Sequence, residues 1–89
     1  MVSKTVVVTN PTGLHLRPAG NLCREAMKYK SKVFFTYNDG KGNANMKSVL
    51  SVLGACIKTG DEINVVCEGD DEEAALEHIL DYITNHLGE

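Results

Sequence analysis

The sequence predicts an α+β fold: a four-stranded antiparallel sheet, open on one side and covered on the other by three helices, in the order β-α-β-β-α-β-α. Two observations lead there. Apolar residues alternate with period two in some segments and recur at helical spacing in others. Each segment also has only one apolar face, and faces of that kind are buried most simply by a layer of helices on one side of a sheet. With 89 residues and no repeat, linker or low-complexity stretch, the chain reads as one domain spanning 1–89.

The elements follow in order. Val2–Thr9 is rich in Val and Thr and reads as a strand, closed by the turn cluster Asn10-Pro11-Thr12-Gly13. From Pro18, the residues Ala19, Leu22, Cys23 and Ala26 fall on one helical face, and the helix is expected to end near Lys30. Lys32–Tyr37 alternates, with Val33, Phe35 and Tyr37 on one side. The polar run 38–42 makes a hairpin turn into a short, weakly specified strand, Asn43–Met46. Ser48–Cys56 is apolar at Val49, Val52, Leu53 and Cys56, which suggests a short second helix ended by Thr59-Gly60-Asp61. Glu62–Glu68 alternates with Ile63, Val65 and Cys67 inward. Asp70 then reads as the N-cap of a last helix, with Glu73 three residues on. Its stripe is Ala75, Leu76, Ile79, Leu80, Ile83 and Leu87, and Gly88 is placed to stop it.

Charge is unevenly divided. Residues 1–60 carry all nine Lys and Arg against two acids, whereas residues 61–89 carry ten acids and no Lys or Arg. A fold that keeps these apart has a polarised field able to orient an acidic partner. The same split also serves simply to keep two faces solvated. Nucleic acid is disfavoured, because the pI is acidic and no basic cluster is interleaved with aromatics. Cys23, Cys56 and Cys67 are odd in number and widely spaced, so no disulfide framework is expected. No signal peptide or membrane-inserting segment is visible. These readings point to a soluble protein of the reducing cytoplasm. A chain this short has little room for a deep substrate cavity, which favours surface chemistry on a protein substrate.

The chemically informative segment is Gly13-Leu14-His15-Leu16-Arg17-Pro18-Ala19. His15 precedes a helix whose first-turn amides lack intrahelical partners and, with the helix dipole, form an anion site. Pro18 is tolerated in that turn because it needs no N–H there. Arg17 adds a planar donor fork suited to phosphate oxygens. Gly13 lets the backbone turn so that the imidazole can face solvent. Neutral imidazole, with a reference pKa of about 6.5, is nucleophilic near pH 7, and a phosphorylated ring nitrogen is also a good leaving group. The backbone N–H of Leu16 and the side chain of Arg17 would stabilise the bound and the transferring phosphoryl group. Taken alone, a histidine before a helix is commonly a solvated cap residue; its neighbours are what give His15 a chemical reading.

This segment resembles the active-site signature of HPr, the histidine-containing phosphocarrier family of the phosphoenolpyruvate-dependent sugar phosphotransferase system, Gram-positive type. The resemblance spans the chain, through its length, its element order, Tyr37 with the following hairpin, and Asn45-Met46-Lys47-Ser48-Val49-Leu50. It implies an open-faced β-sandwich and a phosphoryl carrier rather than a stand-alone enzyme. His15 would take phosphate on Nδ1 from phosphorylated enzyme I and pass it to IIA domains of sugar permeases. It implies no cofactor. Partner docking falls to Thr12, Leu16, Gly20, Arg24, Lys47, Val49, Leu50 and Leu53, on a chain expected to be a monomer. Two departures stand out: Leu16 replaces the common Ala or Thr, and the 38–43 hairpin is longer than in many relatives, which carries Ser48 further along.

Ser48 reads from its own position as an ordinary N-cap. By resemblance it also matches the regulatory serine phosphorylated by HPr kinase/phosphorylase, a modification that weakens transfer at the histidine and recruits the catabolite control repressor. Phosphate at a helix start is electrostatically compatible with the fold. Leu50 either forms an exposed apolar patch or closes the edge of the core. The three cysteines fit core positions on their elements, His86 suits the C-terminus of the last helix, and no zinc-like spacing joins them to His78, so no metal is expected. The rival reading is a regulator that keeps the fold and Ser48 but carries no phosphate; members of that class are recognised by losing the histidine, which this chain retains. A third is a module that only binds protein.

Overall fold

A computed structural model describes residues 1–86. Its elements are β1 (Val2–Val7), α1 (Leu16–Ala26), β2 (Lys32–Tyr37), β3 (Gly42–Asn45), α2 (Val49–Gly54), β4 (Glu62–Glu68) and α3 (Glu72–Asn85). The strands form one antiparallel sheet in the order β1-β4-β2-β3. Fold class and element order are therefore as the sequence predicts.

Register explains the burial. Phe35 lies opposite Ala44 on one side and Val65 on the other, and Val33 lies opposite Cys67. All five are buried and form the floor on which the helices sit. Helix α1 contributes Pro18, Ala19, Leu22 and Ala26, and α3 contributes Ala75, Ile79 and Ile83, each set at the three- and four-residue spacing of a single helical face. On the uncovered face the register pairs are polar. Thr5 lies opposite Asn64, Asn64 opposite Thr36, and Thr36 opposite Asn43. Apolar residues also occur there: Val66 is buried, with Ser3 and Phe34 as its cross-strand neighbours, and Val7 is left exposed.

Several boundaries differ from the sequence reading. β1 stops at Val7 rather than Thr9, β3 begins at Gly42 and ends at Asn45, and α2 ends at Gly54 rather than Cys56. α1 starts at Leu16 rather than Pro18 and ends at Ala26, with Met27 as C-cap, well short of Lys30. The stretch after Ala26 is drawn off by tertiary bonds: Asp71 accepts from the backbone N–H groups of Lys30 and Ser31, both at 2.9 Å, and from the Ser31 hydroxyl.

The same contacts correct the start of α3. Its N-cap is Asp71, not Asp70, and the Asp71 side chain makes no capping bond because it is committed to Ser31 and Lys30. Glu72 reaches back instead and accepts from the Gly69 N–H at 3.1 Å. The cysteine expectation is also corrected. Cys67 is buried, but Cys23 is only half-buried and Cys56 is exposed, at φ +54° just past α2. Leu87 and Gly88, read as the last stripe residue and the stop of α3, lie outside the described residues.

Candidate functional site

The segment entering α1 is held from both sides. Gly13 donates to the Asn10 carbonyl at 3.1 Å, closing a turn, and adopts φ +63°. A Cβ at Gly13 would sit 2.5 Å from the Ile57 carbonyl oxygen and 2.9 Å from the Lys58 Cα, so glycine is required twice over, by conformation and by space. Leu14 follows, buried in the core, with its N–H donating to that same Ile57 oxygen at 3.0 Å. Pinning Leu14 inward sends the next side chain outward.

That side chain is His15. It is exposed and occupies the N-cap of α1 in extended backbone conformation, φ −78° and ψ −174°, without a side-chain capping bond. Its carbonyl accepts the first helical bond, from Ala19 at 2.8 Å. Pro18 has no N–H, and among the described residues the first-turn amides of Leu16 and Arg17 have no backbone partner. A helix N-terminus carries the equivalent of roughly half a positive charge. Arg17 is exposed and makes no ion pair among the described residues. An imidazole, two unpaired amides and a guanidinium thus share one exposed helix start, an arrangement suited to attack on, and charge stabilisation of, a phosphoryl group.

The other expected residues divide into groups. Leu16 and Leu50 are large apolar side chains left 69% and 82% exposed, which decides for the apolar-patch reading of Leu50. Val49 and Leu53, on the same short helix, are partly buried against the core. Gly20, one turn beyond Leu16, would meet nothing within 4 Å if it carried a Cβ, and Arg24 continues that face in the open. Helices α1 and α2 pack against each other, so these residues belong to two adjoining helices. Ser48 is the N-cap of α2, and its hydroxyl accepts the Ser51 N–H at 3.3 Å. Lys47 is less free than expected: its Nζ donates to the Tyr29 carbonyl at 2.7 Å. Thr12 is exposed, and its hydroxyl accepts from Asn10.

Other titratable residues have structural partners. His78 Nε2 lies 2.7 Å from Glu25 Oε1, and its ring is 5.6 Å from that of Tyr29, which ties α3 to α1. The bonds from His78 and then from Lys28 hold the Glu25 carboxyl below its usual range. His86 takes the C-cap position of α3, beside Tyr82 and 3.8 Å from Asp81. Among the described residues no group of three His, Cys, Asp or Glu side chains is arranged to hold a metal ion. Two surface clefts of about 450 and 430 Å³ both lie away from His15 and Arg17. The His15 site is open, so whatever encloses the reacting group must come from the other reactant. One residue that sequence reading took only for part of a turn is Asn10, which is buried beneath Thr12 and Gly13. Its signal was present as an Asn three residues ahead of a Gly, the pattern of a side chain bonding its own turn.

Comparison with known proteins agrees with this geometry. The family description "PTS HPr component phosphorylation site" matches residues 2–85. The phosphocarrier protein HPr of Mycoplasma capricolum is 37% identical over 89% of this chain and 86% of that protein. The HPr-like protein Crh of Bacillus subtilis, described as a catabolite repression HPr, is 37% identical over 98% of this chain and 100% of its own length. In structure, HPr of Thermoanaerobacter tengcongensis superposes with a TM-score of 0.92 at 31% identity, covering 100% of this chain and 98% of that one. Dimers are described both for that HPr and for Crh, the latter by swapping. A matching fold, a match to the family over nearly the whole chain and an exposed histidine at the head of α1 lead to one conclusion: this chain belongs to the HPr family of phosphocarrier proteins of the phosphotransferase system.

Proposed function

We propose that His15 takes a phosphoryl group on Nδ1 from phosphorylated enzyme I and hands it to IIA domains of sugar permeases. The observation that carries this reading is the exposed imidazole at the N-cap of α1, free of side-chain capping and followed by two unpaired amides and Arg17. In the transfer, the Nδ1 lone pair attacks phosphorus while the bond from phosphorus to the donor breaks and its electron pair stays with the donor. The ring proton remains on Nε2. The two amides and Arg17 hold the phosphoryl oxygens through both this step and its reversal onto the next acceptor. Leu16, Gly20, Arg24, Leu50 and Leu53, with Thr12, Lys47 and Val49 at the margins, form the docking face. The free cysteines and the absence of any long apolar helix among the described residues support a cytoplasmic carrier, which we take to act as a monomer.

Ser48 is assigned the regulatory role. Phosphate on its hydroxyl would add charge and bulk on a helix packed against α1, next in sequence to the docking residues Val49 and Leu50, and so weaken transfer while creating a surface for a catabolite control repressor. Incubation with enzyme I and phosphoenolpyruvate tests the carrier reading. It expects an acid-labile, base-stable phosphoryl group that is absent from His15→Ala. Incubation with ATP and HPr kinase/phosphorylase tests Ser48, with a phosphoester lost in Ser48→Ala. A chain that forms the phosphoester but never the phosphohistidine would instead be a regulator of the kind suggested by its Crh relatives.

A further inference from the structure

A cleft of about 430 Å³ opens on the uncovered face of the sheet, away from His15, with Lys30, Lys32, Phe34, Asn43, Asn45 and Lys47 in its walls. Its volume is within the range of small-molecule sites. Strand register sets its layout. Phe34 lies opposite Asn45, and Asn43 is the diagonal neighbour on the same face. Lys32 precedes Phe34 by two residues, which puts it on that face too, roughly 7 Å along the strand. β3 runs the other way, so Lys47 follows Asn45 toward the Lys32 end. The cleft thus has an amide at one end, an aromatic ring in the middle and lysines at the other end.

The charges in this cleft are of one sign. No acidic residue lines it, and among the described residues none of its three lysines makes an ion pair. Glu68, opposite Lys32 in register, makes none with it, and the Asp71 carboxylate is taken up by the backbone amides of Lys30 and Ser31. Lys47 gives one ammonium proton to the Tyr29 carbonyl at 2.7 Å and keeps the rest. Asn45 Oδ1 accepts from the Lys47 N–H at 3.0 Å, which leaves its Nδ2 to donate. Asn43 is exposed, and its amide makes no hydrogen bond among the described residues. Phe34 is only half-buried, because the helices cover the opposite face, where Val33 and Phe35 point.

We propose that this cleft binds a free nucleotide, with adenine as the preferred base. The base stacks on the Phe34 ring, and its N6 and N7 edge pairs with the Asn43 amide. The phosphates reach Lys30, Lys32 and Lys47 across a gap that the ribose bridges. The acidic pI suits a free nucleotide rather than a nucleic acid. The proposal goes beyond the carrier reading and stands whether or not His15 takes phosphate.

The test is a titration of the isotope-labelled chain with ATP, followed by amide NMR shifts, with sodium tripolyphosphate and adenosine as separate probes. ATP should shift the amides of 32–34 and 43–47 and bind about tenfold more tightly than either probe, since only ATP engages both ends of the cleft. Phe34→Leu, which keeps an apolar cover over Val66 but loses the flat ring, should weaken ATP about tenfold and leave tripolyphosphate unchanged. Lys32→Gln should weaken both at low salt, and the difference should fade at high salt. ATP should be preferred over CTP about tenfold, and Asn43→Ala should abolish that preference. Lys32 and Asn43 are exposed, so their variants serve should Phe34→Leu fail to fold. Each of four results overturns the proposal: ATP no tighter than tripolyphosphate, shifts confined to Leu16 and Arg17, oligoadenylate RNA held more tightly than ATP, or an ATP preference untouched by Asn43→Ala.

Discussion

Replacing Gly13 with alanine should be among the most damaging single-methyl changes available to this protein. Three effects add. The residue adopts φ +63°, and an L-residue in that region is destabilised by about 1–2 kcal/mol. The new Cβ would lie 2.5 Å from the Ile57 oxygen and 2.9 Å from the Lys58 Cα. Both are backbone atoms that cannot rotate away, and overpacking of this kind costs about 1–3 kcal/mol. Relief by backbone movement stretches the 3.0 Å bond from Leu14 N–H to Ile57, worth about 1 kcal/mol. Against these, alanine narrows the unfolded ensemble by about 0.4–1 kcal/mol. The net is about 3–5 kcal/mol, on the order of 20 °C in Tm for a domain of this size. Gly40 supplies the control: its φ is +86°, but a Cβ there meets nothing within 4 Å. Gly40→Ala should therefore lose only the conformational part, about 1 kcal/mol. Urea titrations of both variants against the wild type measure the difference. Equal losses would refute the reasoning, since the contact with Ile57 and Lys58 would then be contributing nothing.

Four further outcomes follow from individual residues. The bond from the Ser31 hydroxyl, then that from the Lys30 amide, hold the Asp71 carboxyl down to about 2 from its ordinary 3.8. A group depressed in the folded state contributes stability that is complete above its unfolded pKa and is lost as pH falls through the folded one. The wild type should thus lose stability between about pH 4 and pH 2, and Asp71→Asn should be less stable at pH 7 with a flatter acid limb; an unchanged limb by circular dichroism counts against the contact. Phe35→Ala, at the centre of the sheet and wholly buried, should lose about 3–5 kcal/mol in denaturant melts. Ser48→Ala should lose about 1 kcal/mol as the N-cap of α2, whereas Leu50→Ala, 82% exposed, should change stability by no more than about 0.5 kcal/mol while weakening binding to enzyme I in titration calorimetry.

Element type and order were legible in the sequence because they are set by local periodicity. Alternation at Val33, Phe35, Ile63, Val65 and Cys67, and helical spacing at Ala19, Leu22, Ala75, Ile79 and Ile83, each name the face that must be buried. The heart of the site was legible for the same reason. His15, Arg17, Gly13 and Pro18 are neighbours along the chain, and what a helix start offers an anion depends only on the first turn.

What tertiary structure decided lies where a residue's partner is distant in sequence. Asp70 reads as the N-cap of α3 from the sequence, but the helix begins one residue later, where Ser31, forty positions earlier, claims the carboxylate of the N-cap Asp71. Cys56 matches the apolar spacing of α2 but is carried outward by a φ of +54° at the helix end. Glu25 and His78 meet only because α1 and α3 lie side by side on the sheet. Asn10 looks like any turn asparagine until folding buries its side chain, with Nδ2 on the Gly13 carbonyl, and brings the Thr59 hydroxyl to its own carbonyl. Periodicity tells which side of an element avoids water, but a hydrogen bond is a contact between two particular atoms, and only folding brings those atoms within reach.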